Sequence, residues 1–145
     1  MFRYGKMSGC AVAAMSALAS CYPDGCQLSS HQIAELRNLS QPLAAKVLTV
    51  LSQGGFVVGT RGPGGGYRLA VDPRDVSLFD IVNLFEGHRD PSLCPFGPGW
   101  CGTGEPCPLH DMLTDLDETV ATSLKEVNFG AFIGKGPTYG MRNDS

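Results

Sequence analysis

Charge is scarce in this chain, and long apolar runs are missing from it. Only 17% of its 145 residues are Asp, Glu, Lys or Arg, against 43% hydrophobic. That balance excludes a solvated, disordered chain and leaves enough apolar surface for one core. No apolar run approaches the about 20 residues that a membrane-spanning helix needs. The Ala-rich stretch at 10–19 is too short, and no cleavage pattern precedes Tyr22-Pro23-Asp24. It predicts a buried helix and not a signal peptide, so the expected location is the cytoplasm, with no membrane partner. Internal repeats and low-complexity tracts are absent, which excludes a solenoid. No nucleophile–base constellation stands out, so the chain is not expected to be an enzyme.

The few charges are unevenly spread. Residues 1–70 carry six basic side chains (Arg3, Lys6, Arg37, Lys46, Arg61, Arg68) against two acids, a balance of +4, whereas residues 71–145 carry five against twelve, a balance of −7. A basic half joined to an acidic half suits a nucleic-acid-reading module followed by a sensing and assembly region.

Apolar spacing and turn residues give the order of elements. Residues 7–20 read as a helix ended by the turn signal at 21–25. A second helix starts near Ser29 or Ser30, with Leu28, Ile33 and Leu36 facing inward. After the tight connector Asn38-Leu39-Ser40, Ser40 caps a third helix with Pro42 in its first turn and Leu43, Val47, Leu48 and Leu51 at helical spacing. Gly54-Gly55 ends it. Extended residues on both sides of Arg61-Gly62-Pro63-Gly64-Gly65-Gly66 predict a hairpin. Ser77 and Asp80 begin a fourth helix with Leu78, Ile81, Val82 and Phe85 inward. Pro108 opens a long amphipathic helix carrying Met112, Leu113, Leu116, Val120, Leu124 and Val127. The glycine-bearing end of the chain is expected to be mobile. The fold class is therefore mainly α with a small β-hairpin, in the order of a winged helix-turn-helix.

Candidate DNA-reading groups follow from that order. The third helix is expected to expose Ser40, Gln41, Ala44, Ala45 and Lys46. Ser and Gln can bond base edges, and Lys can reach guanine or a phosphate. Arg61 at the hairpin tip could enter a narrow minor groove. Gly64 lets the backbone approach the duplex, and Arg68 supplies a further cation nearby. The same glycines could cradle a nucleotide phosphate, but no Gly-Lys-Ser/Thr follows at a helix start, so a P-loop is rejected.

A second constellation is Cys94, Cys101, Cys107 and His110, spaced C-x6-C-x5-C-x2-H in a Gly- and Pro-rich stretch that runs into the long helix. Three thiolates and an imidazole can give two ligands to each iron of a 2Fe–2S cluster, the favoured assignment. The three thiolates alone can hold a 4Fe–4S cluster with one iron left for an exchangeable ligand. Zinc is the alternative, although its structural sites prefer closer C-x2-4-C pairs. A purely thiol redox switch is a third reading. Cys10, Cys21 and Cys26 read as small core or turn residues, with a redox role left open for the last two. His31 and His88 are assigned no site, and Trp100 is expected to shield the cysteine loop from water.

Leu39-Ser40 before the Pro42 helix, the block Arg61-Gly62-Pro63-Gly64-Gly65-Gly66-Tyr67-Arg68-Leu69-Ala70, the 77–87 helix ending in Glu86-Gly87, and three cysteines before a long helix resemble the Rrf-two (Rrf2) family of bacterial regulators, of the IscR and NsrR type. The resemblance spans about residues 7–128, and the RGPGGGYRLA block is its specific part. It implies a homodimer with crossing C-terminal helices, a palindromic double-stranded DNA operator, and a transcriptional regulator, expected to be a repressor, controlled by an iron–sulfur cluster on Cys94, Cys101, Cys107 and His110. Sensing of redox state, nitric oxide or iron–sulfur status would follow. Under that reading 1–72 is the winged DNA-binding domain and 73–108 the connecting helix and cluster loop. Residues 109–128 form the dimerisation helix and 129–145 a flexible tail. The chain departs from the family in three places. Residues 1–20 hold no Asp, Glu or His that could act as a borrowed ligand near Ser8-Gly9. Ala45 stands where many relatives carry an acid. Cys10-Ala11-Val12-Ala13 replaces the usual Tyr-Ala-Leu-Arg, removing an arginine.

Overall fold

Small side chains decide the centre of the fold. The computed structural model describes residues 5–22, 27–86 and 108–135. Its first helix, α1 (Lys6–Ser20), is buried along most of its length. Ala11, Ala14, Met15, Ala17 and Ala19 have no exposed surface. A surface of alanines lets neighbours approach closely, and α1 is packed against the second, third and fourth helices and the hairpin.

Local capping chemistry starts the next helices where the sequence predicts. Before α2 (Ser30–Arg37), Ser29 Oγ accepts from the Gln32 N–H at 3.1 Å, while the Ser29 N–H donates to Gln32 Oε1 at 2.8 Å. The helix ends at Asn38, which takes the left-handed conformation with φ 56°. Asn tolerates that region better than most side chains. Ser40 then caps α3 (Gln41–Gln53), accepting from the Leu43 N–H, with Pro42 in the first turn. Val47, Leu48 and Leu51 are fully buried, each worth about 1.5–3 kcal/mol by removal from water.

The hairpin consists of β1 (Val57–Thr60) and β2 (Gly66–Leu69), antiparallel with Val57 opposite Leu69 and Thr60 opposite Gly66. Gly62 and Gly64 carry the turn at φ 92° and 76°, a region costly for residues with a Cβ. Leu28, just before α2, pairs with Tyr67 through an isolated bridge. The hairpin is thereby tied to the strand-like connection that enters the helix pair.

Ser77 and Asp80 cap α4 (Leu78–Glu86) reciprocally: the Ser77 N–H donates to Asp80 Oδ2 at 3.0 Å and the Asp80 N–H to Ser77 Oγ at 3.1 Å. At the other end of α4, Glu86 Oε2 accepts from the Gly5 N–H at 2.7 Å and from Ser8 Oγ at 2.5 Å. A carboxylate is favoured at that place because the start of α1 carries partial positive charge.

The long helix α5 (His110–Glu126) buries none of its residues. Its apolar stripe is open: Met112 is 55% and Leu116 37% exposed. Near its end the Lys125 ammonium lies 4.6 Å from the centre of the Phe79 ring. The chain then returns to the body. Leu78 N–H donates to the Val127 carbonyl and Phe129 N–H to the Val76 carbonyl, both at 2.9 Å. A short 3-10 turn, Phe129–Phe132, follows, and Phe129 is fully buried in the main core.

That turn corrects one expectation. The 129–145 segment is not a flexible tail from its start: residues 129–135 are packed, and the Gly134 N–H donates to the Ser20 carbonyl at 3.0 Å. Glycines and polar residues masked Phe129 and Phe132 as anchors; their rings pack with centroids 5.9 Å apart. Residues 136–145 lie outside the described residues. The fold class itself is as the sequence predicts: mainly helical, with a two-stranded hairpin in winged helix-turn-helix order and a long C-terminal helix. No helix among the described residues is long and apolar enough to cross a membrane.

Candidate nucleic-acid interface

The start of α3 is an exposed polar edge built jointly by two helices. Ser40 and Gln41 are both exposed there. Ser40 uses one lone pair of its hydroxyl on the Leu43 N–H at 3.3 Å, which leaves its O–H free to donate. Gln41 Nε2 donates to Ser30 Oγ at 2.9 Å, and Gln41 Oε1 accepts from His31 Nδ1 at 3.3 Å. His31 Nε2 in turn stands 3.6 Å from the Glu35 carboxylate. His31 therefore belongs to the edge, although its sequence context points to no site. Residues ten apart on two helices leave no periodic signal.

One residue expected to be exposed on this helix is buried instead. Ala44 has no exposed surface and lies on the same face as Val47 and Leu48, three and four residues on. It packs inward and cannot meet a duplex. Ala45 is half-buried, whereas Lys46 is exposed.

The hairpin presents Arg61, Gly64 and Arg68, all exposed. A Cβ on Gly64 would meet nothing within 4 Å, so space around the turn is open and its backbone can be approached. Lys46, Arg61 and Arg68 make no ion pair with an acid among the described residues. Arg37 behaves differently: its Nε donates to Ser16 Oγ at 3.0 Å. Burial pulls its pKa below the ordinary arginine value, and it braces α2 on α1. The cations just described thus divide into an internal brace, Arg37, and the outward Lys46, Arg61 and Arg68.

Of the cysteine constellation, the described residues include His110 alone, half-buried at the first position of α5. Cys94, Cys101 and Cys107 lie outside them, as do Cys26, His88 and Trp100. No group of three or more His, Cys, Asp or Glu able to hold a metal occurs among the described residues. Cys10 is a buried free thiol, as a core residue should be. Cys21 is not an ordinary turn thiol, because it is disulfide-bonded.

An exposed capped helix start, with a glycine-turned wing whose cations pair with no acid among the described residues, defines a winged-helix DNA-binding regulator. Residues 5–135 match the Rrf2 family, described as an iron-dependent transcriptional regulator, and the chain belongs to that family. Its members are transcriptional regulators and not enzymes. The chain is 36% identical over 131 residues to the HTH-type transcriptional regulator BadM of Rhodopseudomonas palustris, covering 90% of this chain and 81% of that protein. It is 28% identical over 101 residues to the regulator IscR of Klebsiella pneumoniae, covering 70% of this chain but 61% of the relative. The structure of T. potens IscR superimposes with a TM-score of 0.68 at 25% identity, over 88% of this chain and 83% of that one.

Proposed function

We propose that this chain is a homodimeric transcriptional repressor of a palindromic operator whose affinity is set by an iron–sulfur cluster. The observation that carries the DNA-reading part is the joint edge at the start of α3 together with the open glycine turn of the wing. In this reading Ser40, Gln41 and Lys46 face base edges and phosphates in the major groove, Arg61 enters the minor groove, and Gly64 and Arg68 meet the backbone. The exposed apolar stripe of α5 is the surface that a second copy would cover, since a helix with a long uncovered apolar face normally buries it.

Cys94, Cys101, Cys107 and His110 are the residues that would hold the cluster. Three soft thiolates and one imidazole suit iron–sulfur chemistry, with 2Fe–2S favoured over 4Fe–4S. When bound, such a group supplies a centre whose charge and stability respond to oxidants, nitric oxide or iron supply. The chain's own contribution is positional. His110 begins α5, and Glu86, one residue before the cysteine-bearing segment, is anchored to the start of α1. A change in that segment therefore adjoins both the pairing helix and the central helix of the head.

Anaerobic purification with iron, sulfide and zinc counts and an absorption spectrum tests the cofactor. Iron and sulfide with a visible chromophore, lost in Cys101→Ala, are expected. One zinc and no chromophore would replace the cluster with a zinc-stabilised reader, and no metal at all with a metal-free one. Arg61→Ala is expected to weaken operator binding by about tenfold, from the loss of one charge-assisted contact. Unchanged affinity would remove the wing from the interface.

A further inference from the structure

The α2–α3 junction carries an inference about how Gln41 reads a base. A glutamine side chain has two N–H groups and two carbonyl lone pairs. In this chain one N–H goes to Ser30 Oγ and one lone pair to His31 Nδ1–H. Both partners are adjacent residues of α2, so the amide is gripped at both ends by a single helical turn. One N–H and one lone pair remain for a base edge. His31 Nε2 stands 3.6 Å from the carboxylate of Glu35, four residues along the same helix. Its side chain is 74% exposed, so it contributes little to the core, and its polar contacts among the described residues are those to Gln41 and Glu35.

We propose that Ser30 and His31 are positioning residues that hold the Gln41 amide in one orientation, so that base preference under the start of α3 is set by this three-residue cluster. The inference rests on the reading of Gln41 as a base contact. A free glutamine must be immobilised when it binds, which lowers an association constant by about 2- to 12-fold. Side chains already in place avoid that loss. Orientation also decides which way the remaining donor and acceptor point, and hence which base edge they match.

A double-mutant cycle tests this with the full chain and a duplex that the unaltered protein selects from a randomised pool. Each position of that duplex is varied through all four bases. Gln41→Ala is expected to flatten preference at one position in each half-site. His31→Ala should reduce preference at that same position by about 2- to 12-fold, and the double variant should bind no more weakly than Gln41→Ala. His31→Asn, whose amide N–H can stand in for Nδ1–H, should restore most of the preference, with melting temperatures unchanged throughout. Two outcomes overturn the proposal while leaving Gln41 as a reader. In one, His31→Ala weakens all four bases equally, as a phosphate contact would. In the other, its effect adds in full to that of Gln41→Ala. If Gln41→Ala changes no preference, the reading role fails and the positioning role fails with it.

Discussion

Leu28 and Tyr67 exchange both of their backbone hydrogen bonds, Leu28 N–H to the Tyr67 carbonyl at 2.9 Å and Tyr67 N–H to the Leu28 carbonyl at 2.7 Å. The wing is therefore a fixed projection, registered by main-chain atoms against the segment that enters α2. A reading helix and a wing that must meet the same duplex need that registration, since a misplacement of about 1 Å degrades charge-assisted contacts.

Gly66 is where the registration is most exposed to mutation. A Cβ there would lie 2.8 Å from the Leu28 carbonyl carbon and 3.0 Å from Ser29 N, all backbone atoms that cannot swing aside. Gly66→Ala is expected to cost about 1–3 kcal/mol in urea unfolding and to weaken duplex binding. Gly64→Ala meets no atoms and should cost only the left-handed strain of about 1 kcal/mol. Equal costs at the two positions would mean that the bridge does not hold the wing.

Phe129 supplies a second measurement. Fully buried in the main core, it should cost about 3–5 kcal/mol when replaced by alanine. Truncation after Asn128 should destabilise at least as much. A loss below about 1 kcal/mol in either variant would show that the packed turn is peripheral.

The open stripe on α5 leads to a prediction about assembly. Leu116→Lys and Met112→Lys place charge on surface already in contact with water, so the folded monomer should survive. Sedimentation should then show the mass halved relative to the unaltered protein. A dimer that persists in both variants would relocate the interface.

Asp72 and Arg74 give a pH dependence of known sign. The Arg74 side chain, hydrogen-bonded to Asp72 at 2.7 Å, holds that carboxyl below its ordinary value of 3.8. A lowered folded value means that the stabilisation is present above the ordinary value and is lost as pH falls through the lowered one. Asp72→Asn should flatten that part of the acid limb of an unfolding profile. The pair lies at the surface, with Arg74 exposed and Asp72 half-buried, so the difference should be small and shrink further with added salt.

What the sequence made legible was whatever local chemistry decides. Ser29, Ser40 and Ser77 announce helix starts because their hydroxyls act within three residues. Val47, Leu48 and Leu51 announce a buried face because helical spacing is short-range. The glycines after Arg61 announce a turn for the same reason. Pairings across long separations were not legible. The Leu28–Tyr67 bridge, the return of 127–129 to 76–78, and the grip of His31 on Gln41 all depend on tertiary contact. Ala44 was misread because an alanine carries no signal of which side it faces. The candidate ligands Cys94, Cys101 and Cys107 rest on spacing and family resemblance, with His110 alone placed by the structure.

The paired backbone at 76–78 and 127–129 has an evolutionary consequence. It forms a clasp between the start of α4 and the end of α5, so the returning chain re-enters the head beside the residues with which α4 begins. Lengthening a stretch enclosed by such a clasp costs only about 0.6 kcal/mol per doubling. The head can thus stay constant while the enclosed stretch is exchanged, one chassis accepting different detectors.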